Sequence, residues 1–515
     1  MPDTIFFCVY SYVMKTISAM GEGNSLKKLF SDSMIYGLSS IVGRFLNYLL
    51  VPLYTYKLVS SGGYGVVTNL YAYTALLLVL LTFGMETTFF YFANNNKGDY
   101  KRVFSTALYM VGGVALLFLV AVFVFIGPIS RGLGYADNPE YLRIMATVVA
   151  FDAFQAILFA FLRFKGRAWK FAFLKLLFIF CNIGLNLFFF LVAPRLAVSH
   201  PEWMGWYNID RQVYYIFLSN LLCTVPITLA FVPELRHLRF GVDRGLVKQM
   251  LRYTWPLLLL GLAGILNQVA DKICFRFLVP GAEGDAQLGI YGACVKIAMI
   301  MAMITQAFRY AYEPFVFSGG KESKDSQALV MKYFVMFTLL AFLAVVGYMD
   351  ILRHIISERY WDGLRAVPIV MMAEIFMGIY FNLSFWYKLI AKTWWGAVIS
   401  AIGCVVLLAV NIIFVPRYGY MACAWGGFCG YAVCMLLSYF IGQRYNPVNY
   451  PVKAILGYFA LAMALFVAMG HIHFDSEWLT LAVNTLLLLV YVAVVLYNER
   501  TLVRRVLGKL GIKRG

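Results

Sequence analysis

The chain has 515 residues, of which 62% are hydrophobic and 13% charged, and it carries a formal net charge of +18. Soluble domains hold about 25% charged residues, so half that fraction leaves too little polar surface to meet water on every side. A water-soluble globular class is thereby excluded, and the expected solvent is a bilayer.

The first residues form an N-terminal extension, 1–25. Its apolar run Ile5–Met14 is too short to span, and it lacks the basic start and small-residue cleavage site of a signal peptide. Met20 is an alternative start. About fourteen apolar runs of spanning length follow, near 34–54, 66–92, 104–127, 141–162, 171–193, 213–233, 256–279, 288–317, 329–349, 367–388, 394–415, 419–441, 452–471 and 478–497. Long continuous runs predict helices rather than the ten-residue alternation of a membrane barrel. The expected organisation is an all-α polytopic protein with an N-terminal lobe (26–240, spans 1–6), a C-terminal lobe (241–445, spans 7–12) and spans 13–14 with a basic tail (446–515).

An even span count puts both termini on one side. With that side cytoplasmic, about 28 Lys and Arg lie inside and about 9 outside. The inside group includes Arg163, Lys165, Arg167 and Lys170, and later Arg500, Arg504, Arg505 and Lys509. The positive charge therefore reads as orientation signals beside anionic headgroups, and nucleic acid is set aside as a partner.

Charges inside the spans cost about 2.5–3.5 kcal/mol each at the bilayer centre and should face protein or a wet cavity. In span 1, Ser33, Tyr36, Ser40, Arg44 and Asn47 recur at helical spacing and form one polar stripe. In span 7, Asn267, Asp271 and Cys274 form the matching stripe, with Lys272 and Arg276 on an adjoining face. Span 8 carries Lys296, Arg309 and Glu313; Arg309 and Glu313 are spaced to pair on one helix, whereas Lys296 has no carboxylate within reach on its own helix. Arg44, Lys296, Arg309, Lys272 and Arg276 are the candidate cavity cations, and Ser40, Asn47 and Asn267 the candidate cavity polar groups. Asp152, Asp271, Glu313 and Glu374 are candidates for ion coupling or for charge partners, and Lys175 is a further embedded cation. A cavity lined by Arg and Lys favours an anionic passenger, and phosphate or diphosphate fits guanidinium geometry.

Several features point away from other chemistry. The nine cysteines form no CxxC and no zinc-spaced cluster, so neither a disulfide framework nor a metal site is expected. His471 and His473 near Asp475 read as a solvated loop. The longest external connection, about 194–212, is too short for a catalytic loop despite Arg195, His200, Glu202, Asp210 and Arg211. Nucleotide-binding and nucleophile-elbow signatures are missing, so no catalytic residue and no cofactor are expected.

The two halves repeat. Tyr64-Gly65 followed by Glu86 matches Tyr291-Gly292 followed by Glu313, at an offset of about 227. Leu142-Arg143 before Asp152 matches Leu364-Arg365 before Glu374, and Asn186 before Pro194-Arg195 matches Asn411 before Pro416-Arg417. Two parallel six-span halves with two spans appended predict two bundles in a V around a cavity.

Three segments carry a resemblance. They are Ser33 through Pro52-Leu53-Tyr54 to Tyr64-Gly65, Leu288-Gly289-Ile290-Tyr291-Gly292 through Lys296 to Glu313-Pro314-Phe315, and Asn411-x-x-Phe414-Val415-Pro416-x-Tyr418-Gly419. With the six-plus-six-plus-two plan, the chain resembles the polysaccharide flippases of the multidrug/oligosaccharidyl-lipid/polysaccharide exporter superfamily. The resemblance implies translocation of an undecaprenyl-diphosphate-linked oligosaccharide across the bacterial inner membrane, for polysaccharide or O-antigen biosynthesis. It implies basic cavity residues at the positions of Arg44, Lys296 and Arg309, and a proton or sodium gradient as the drive. Membrane lipids and other polysaccharide-assembly proteins are the further partners it implies. Two rivals stand beside it. A cation-coupled multidrug antiporter on the same fold would need an acidic, aromatic site, and a membrane polymerase would need a larger external loop.

Overall fold

The computed structural model describes residues 42–43, 45–95, 99–239, 241, 243–317, 324–390, 392–472 and 474–500, with side chains at 310, 311 and 313–317 left out. Among the described residues the regular structure is helical and contains no strand. The first expected span is described from residue 42 onward and ends in α1 (Leu50–Lys57). The expected extension 1–25 and the tail beyond 500 lie outside the described residues, as do Ser40, Arg44, His473 and the Glu313 side chain.

Thirteen further helices are long and apolar enough to cross a membrane. They are α2 (Ser61–Asn95), α3 (Tyr100–Val124), α4 (Pro139–Phe164), α5 (Ala168–Ser199), α6 (Ile209–Leu229), α7 (Arg244–Leu278), α8 (Ala282–Phe317), α9 (Lys324–Gly347), α10 (Glu358–Leu389), α11 (Trp394–Tyr418), α12 (Tyr420–Tyr445), α13 (Val452–His471) and α14 (Glu477–Asn498). Each overlaps one expected apolar run, from the second to the fourteenth. The reason is that intrahelical bonding is the way a single apolar segment satisfies its backbone away from water.

Breaks within helices have local causes. α2 bends at Phe83–Gly84, where Phe83 has φ 35° and Gly84 φ 74°. The Thr254 hydroxyl donates to the Phe83 carbonyl, and a side chain at Gly84 would meet Leu257, so α7 rests directly on the bend. A non-glycine residue at positive φ is strained, and this one is held by burial and by that hydrogen bond. Gly419, at φ 55°, makes the turn from α11 into α12.

The chain divides into two compact units. One comprises Leu77–Leu258 with the described residues before Val51; the other comprises Val51–Leu76 and Leu259 onward. The first unit is centred on Phe89, Phe104 and Phe161, the last two stacked at 4.1 Å. At one end of it Glu234 is fully buried and accepts from Lys170 (2.7 Å) and Arg167 (3.2 Å). Asp99 with Arg239 (2.9 Å), and Asp243 with Arg102 (2.8 Å), hold the connection into α7.

In the second unit α8, α10 and α12 enclose Leu288, Tyr291, Ala366 and Cys423. The appended helices dock along α9 by a ladder of polar bonds. Tyr491 donates to the Met336 carbonyl (3.1 Å) and Asn484 to the Gly347 carbonyl (2.9 Å). Lys332 pairs with Glu499 (2.7 Å), which also accepts from Tyr458 (3.2 Å). The Lys332 and Glu499 side chains are only 14% and 13% exposed. Removing one member strands the other, at a cost of about 3 kcal/mol. Glu499→Gln should therefore lower the melting temperature in detergent and speed proteolysis in the 446–451 connection. Unchanged melting and cleavage would show that the ladder stands without this ion pair.

Candidate functional site

α7 presents its polar residues to two different jobs. Asn267 is nearly buried; its amide donates to the carbonyls of Ala263 (2.8 Å) and Ser400 (2.7 Å), and Tyr431 donates to its main-chain carbonyl (3.2 Å). It ties α7 to α11 and α12. Asp271, 6% exposed, accepts from Lys272 (2.9 and 3.0 Å) and from Tyr291 of α8 (2.9 Å). Lys272 donates once more to the Gln268 carbonyl (3.0 Å). Arg276 meets Asp285 with two nitrogens, Nε at 3.0 Å and Nη2 at 3.1 Å. Lys272 and Arg276 thus both have carboxylate partners within their own unit.

Lys296 differs. It is half-buried on α8, and among the described residues it forms neither a hydrogen bond nor an ion pair. Lys272 lies close enough to repel it. Glu374 on α10 is also half-buried without a bonded partner among the described residues, and it feels Lys272 only at a distance.

Arg309, near the other end of α8, stacks over Phe381 at 4.9 Å from the ring centre. It lines a cleft with Lys388, whose ammonium stands 4.9 Å from the Phe385 ring centre. Phe308, Phe334 and Asn382 share that lining, as does Thr305, whose buried hydroxyl has no hydrogen-bond partner among the described residues. The sequence pattern did not single out Lys388. It sits at the end of a span, where a lysine reads as an orientation signal.

In the first unit Arg163 pairs with Glu86 at 2.6 Å. Asp152 and Lys175 act on each other electrostatically and form no ion pair among the described residues, and Lys175 stands 4.1 Å from the Phe159 ring centre. Asn47 is exposed. The structure therefore gathers Asp271, Lys272, Lys296 and Glu374 into one electrostatic neighbourhood, pairs Arg276 separately, and sets Arg309 beside Lys388. Asn411, fully buried with neither side-chain amide atom bonded among the described residues, is a further embedded polar group, visible in the sequence only as a repeat marker.

Comparison with known proteins agrees with this architecture. The fold is similar to that of the structure described as lipid II flippase MurJ in an inward closed conformation, with a TM-score of 0.68 over 92% of this chain and 99% of that one, at 14% identity. It is also similar to an inward-facing multidrug resistance MATE family transporter, with a TM-score of 0.57 over 84% and 97% of the two chains, at 15% identity. The chain thus shares the fold of these multi-pass helical membrane proteins. More particularly, the chain belongs to the family described as polysaccharide biosynthesis protein, which matches residues 29–312. A relative, Lsg locus protein 1 of Haemophilus influenzae, is 21% identical over 326 residues, covering 62% of this chain and 72% of its own length.

The pairing pattern makes the cations separable by experiment. Lys272→Met strands the buried Asp271 and should cost about 3–5 kcal/mol of stability, read as an earlier thermal transition. Lys296→Met strands nothing and should melt at or above the parent temperature.

Proposed function

We propose that this protein is a secondary transporter that translocates a lipid-linked oligosaccharide diphosphate across the bacterial inner membrane, for polysaccharide or O-antigen assembly. The observation that carries the reading is Lys296, an embedded cation with no partner among the described residues. An uncompensated charge in lipid is retained where function needs it. A diphosphate passenger supplies the missing negative charge at each turn of the cycle. The family, whose description names polysaccharide biosynthesis, supports a glycan as the cargo.

In this reading the passenger's phosphates meet Lys296, Arg309 and Lys388 in turn, together with Arg44 of the first span. Aromatic rings beside Arg309 and Lys388 help to hold the cations in place. Lys272 and Arg276 shape the site through their carboxylates. Asp152 and Glu374, embedded without ion pairs, are the groups on which a proton or sodium ion would act. Both termini face the cytoplasm, as the Lys and Arg balance requires.

A charge-assisted hydrogen bond contributes about 1.5–3 kcal/mol, so losing one phosphate contact should slow export roughly tenfold or more. Lys296→Ala, Arg309→Ala, Lys388→Ala and Arg44→Ala should each lower surface glycan and accumulate its lipid-linked precursor, at parent levels of membrane protein. Full export by both Arg44→Ala and Lys296→Ala would remove the basic site from the mechanism. Drug resistance on overexpression in a pump-deficient host, with glycan export untouched by deletion, would favour a multidrug antiporter.

A further inference from the structure

The loop between α5 and α6 is fastened at its base and open at its top. Tyr215 of α6 stacks nearly parallel on Phe189 of α5 (4.9 Å) and on Tyr207 of the loop (5.0 Å). Tyr207 donates its hydroxyl to the Phe189 carbonyl (2.9 Å), and the main-chain N–H of Asn208 donates to the Tyr215 hydroxyl (2.8 Å). Trp206 packs edge-on against Phe189 (6.2 Å) and Tyr207 (6.0 Å). Trp203 lies outside this column. It is 74% exposed and stacks on His200, with ring centres 5.1 Å apart and planes 19° from parallel. Its main-chain N–H donates to the His200 carbonyl (3.2 Å), so the indole is held beside the end of α5.

Helix length places the two tryptophans at different heights. Trp169, exposed between Arg167 and Lys170, has the make-up of an interface anchor at one end of α5. Phe189 follows about 20 residues later, about 30 Å further along the helix, which is one hydrocarbon thickness. Trp206, packed on Phe189, therefore belongs to the interface at the other end. His200 lies about 30 residues beyond Trp169, about 45 Å along the axis. Trp203, stacked on His200, thus stands about 15 Å outside the interface, and a tilt of about 20° changes that little. A lipid anchor has no use there. Val198, Trp203, Trp206 and Ile209 are all more than half exposed in this one segment, and an apolar patch on a fixed base in water marks a binding surface.

The surroundings of the indole select its ligand. His200, Glu202, Asp210 and Arg211 are exposed in the same loop. A pyranose carries C–H bonds on its faces and hydroxyls around its edge. The C–H face lies on the electron-rich indole, and the hydroxyls meet charged and polar groups at the rim. A folded protein fits less well. An aromatic side chain buries about 150–250 Å², so two indoles fall well short of the about 800 Å² per partner of a stable interface. We propose that the loop between α5 and α6 carries a glycan-binding subsite, in which Trp203, stacked on His200, is the platform for a sugar ring. The inference rests on the transport reading above, in whose orientation this loop faces away from the cytoplasm, on the side where the carried oligosaccharide arrives. The ligand is the glycan of the passenger and not its diphosphate.

The test titrates the full-length protein in lipid nanodiscs with the repeat-unit oligosaccharide of the producing strain, freed from its carrier by mild acid. Binding is read from the sugar's own NMR signals by saturation transfer. The parent should bind saturably. Trp203→Ala should weaken binding at least tenfold and His200→Ala several-fold, while Trp203→Phe, which keeps a flat ring, should lose less than Trp203→Ala. Absence of binding to the parent, or equal binding by the parent and Trp203→Ala, overturns the proposal. Lipids with brominated chains should not quench the emission that Trp203→Ala removes; quenching of it makes the indole a lipid anchor and overturns the proposal as well. An export defect in Trp203→Ala with sugar binding unchanged points to a protein partner and does the same. The titration needs neither carrier lipid nor transport. Sugar binding that depends on Trp203 in a chain that exports nothing would keep the subsite and remove the transport reading, whereas full export with no sugar held at Trp203 would do the reverse.

Discussion

Every feature of this protein follows from one constraint: a charge or polar group placed in lipid must be answered inside the chain or by something the chain binds. Backbone groups are answered within helices. Asp271 is answered by Lys272 and Tyr291, Asp285 by Arg276, and Glu234 by Lys170 and Arg167. Once these debts are settled, Lys296, Glu374 and Asp152 remain as embedded charges without bonded partners among the described residues. Their retention is what gives the transport reading its force.

The same constraint shapes how helices meet. With no hydrophobic force between surfaces already in lipid, contacts are made by shape and by polar bonds. The structure uses the two in different proportions. α13 and α14 are fastened to α9 with a nearly buried ion pair and several hydrogen bonds. α2 lies on α8 through glycine backbones, and Asn69 of α2 donates to the Lys272 carbonyl of α7.

Aromatic residues bridge these two themes. Phe381 and Phe385 hold Arg309 and Lys388 by their ring faces. A ring steadies a cation through its electron-rich face. The cleft they line combines aromatic rings with two cations.

Helix number, type and order were readable directly, because twenty apolar residues in a row have one stable conformation in lipid. Spans 2 to 14 lie where the apolar runs placed them, and the family resemblance read from three degenerate segments agrees with the family that matches. The embedded charges were also visible as residues, from Asp152 to Glu374. What the one-dimensional pattern could not decide is which of them satisfy each other. Asp271 with Tyr291, Arg276 with Asp285, and Arg309 beside Lys388 are meetings between different helices, and helical periodicity carries no information across a turn. The reciprocal contact of Gly65 and Gly289 is of the same kind. Each glycine is unremarkable alone, and only the approach of two backbones gives it a purpose.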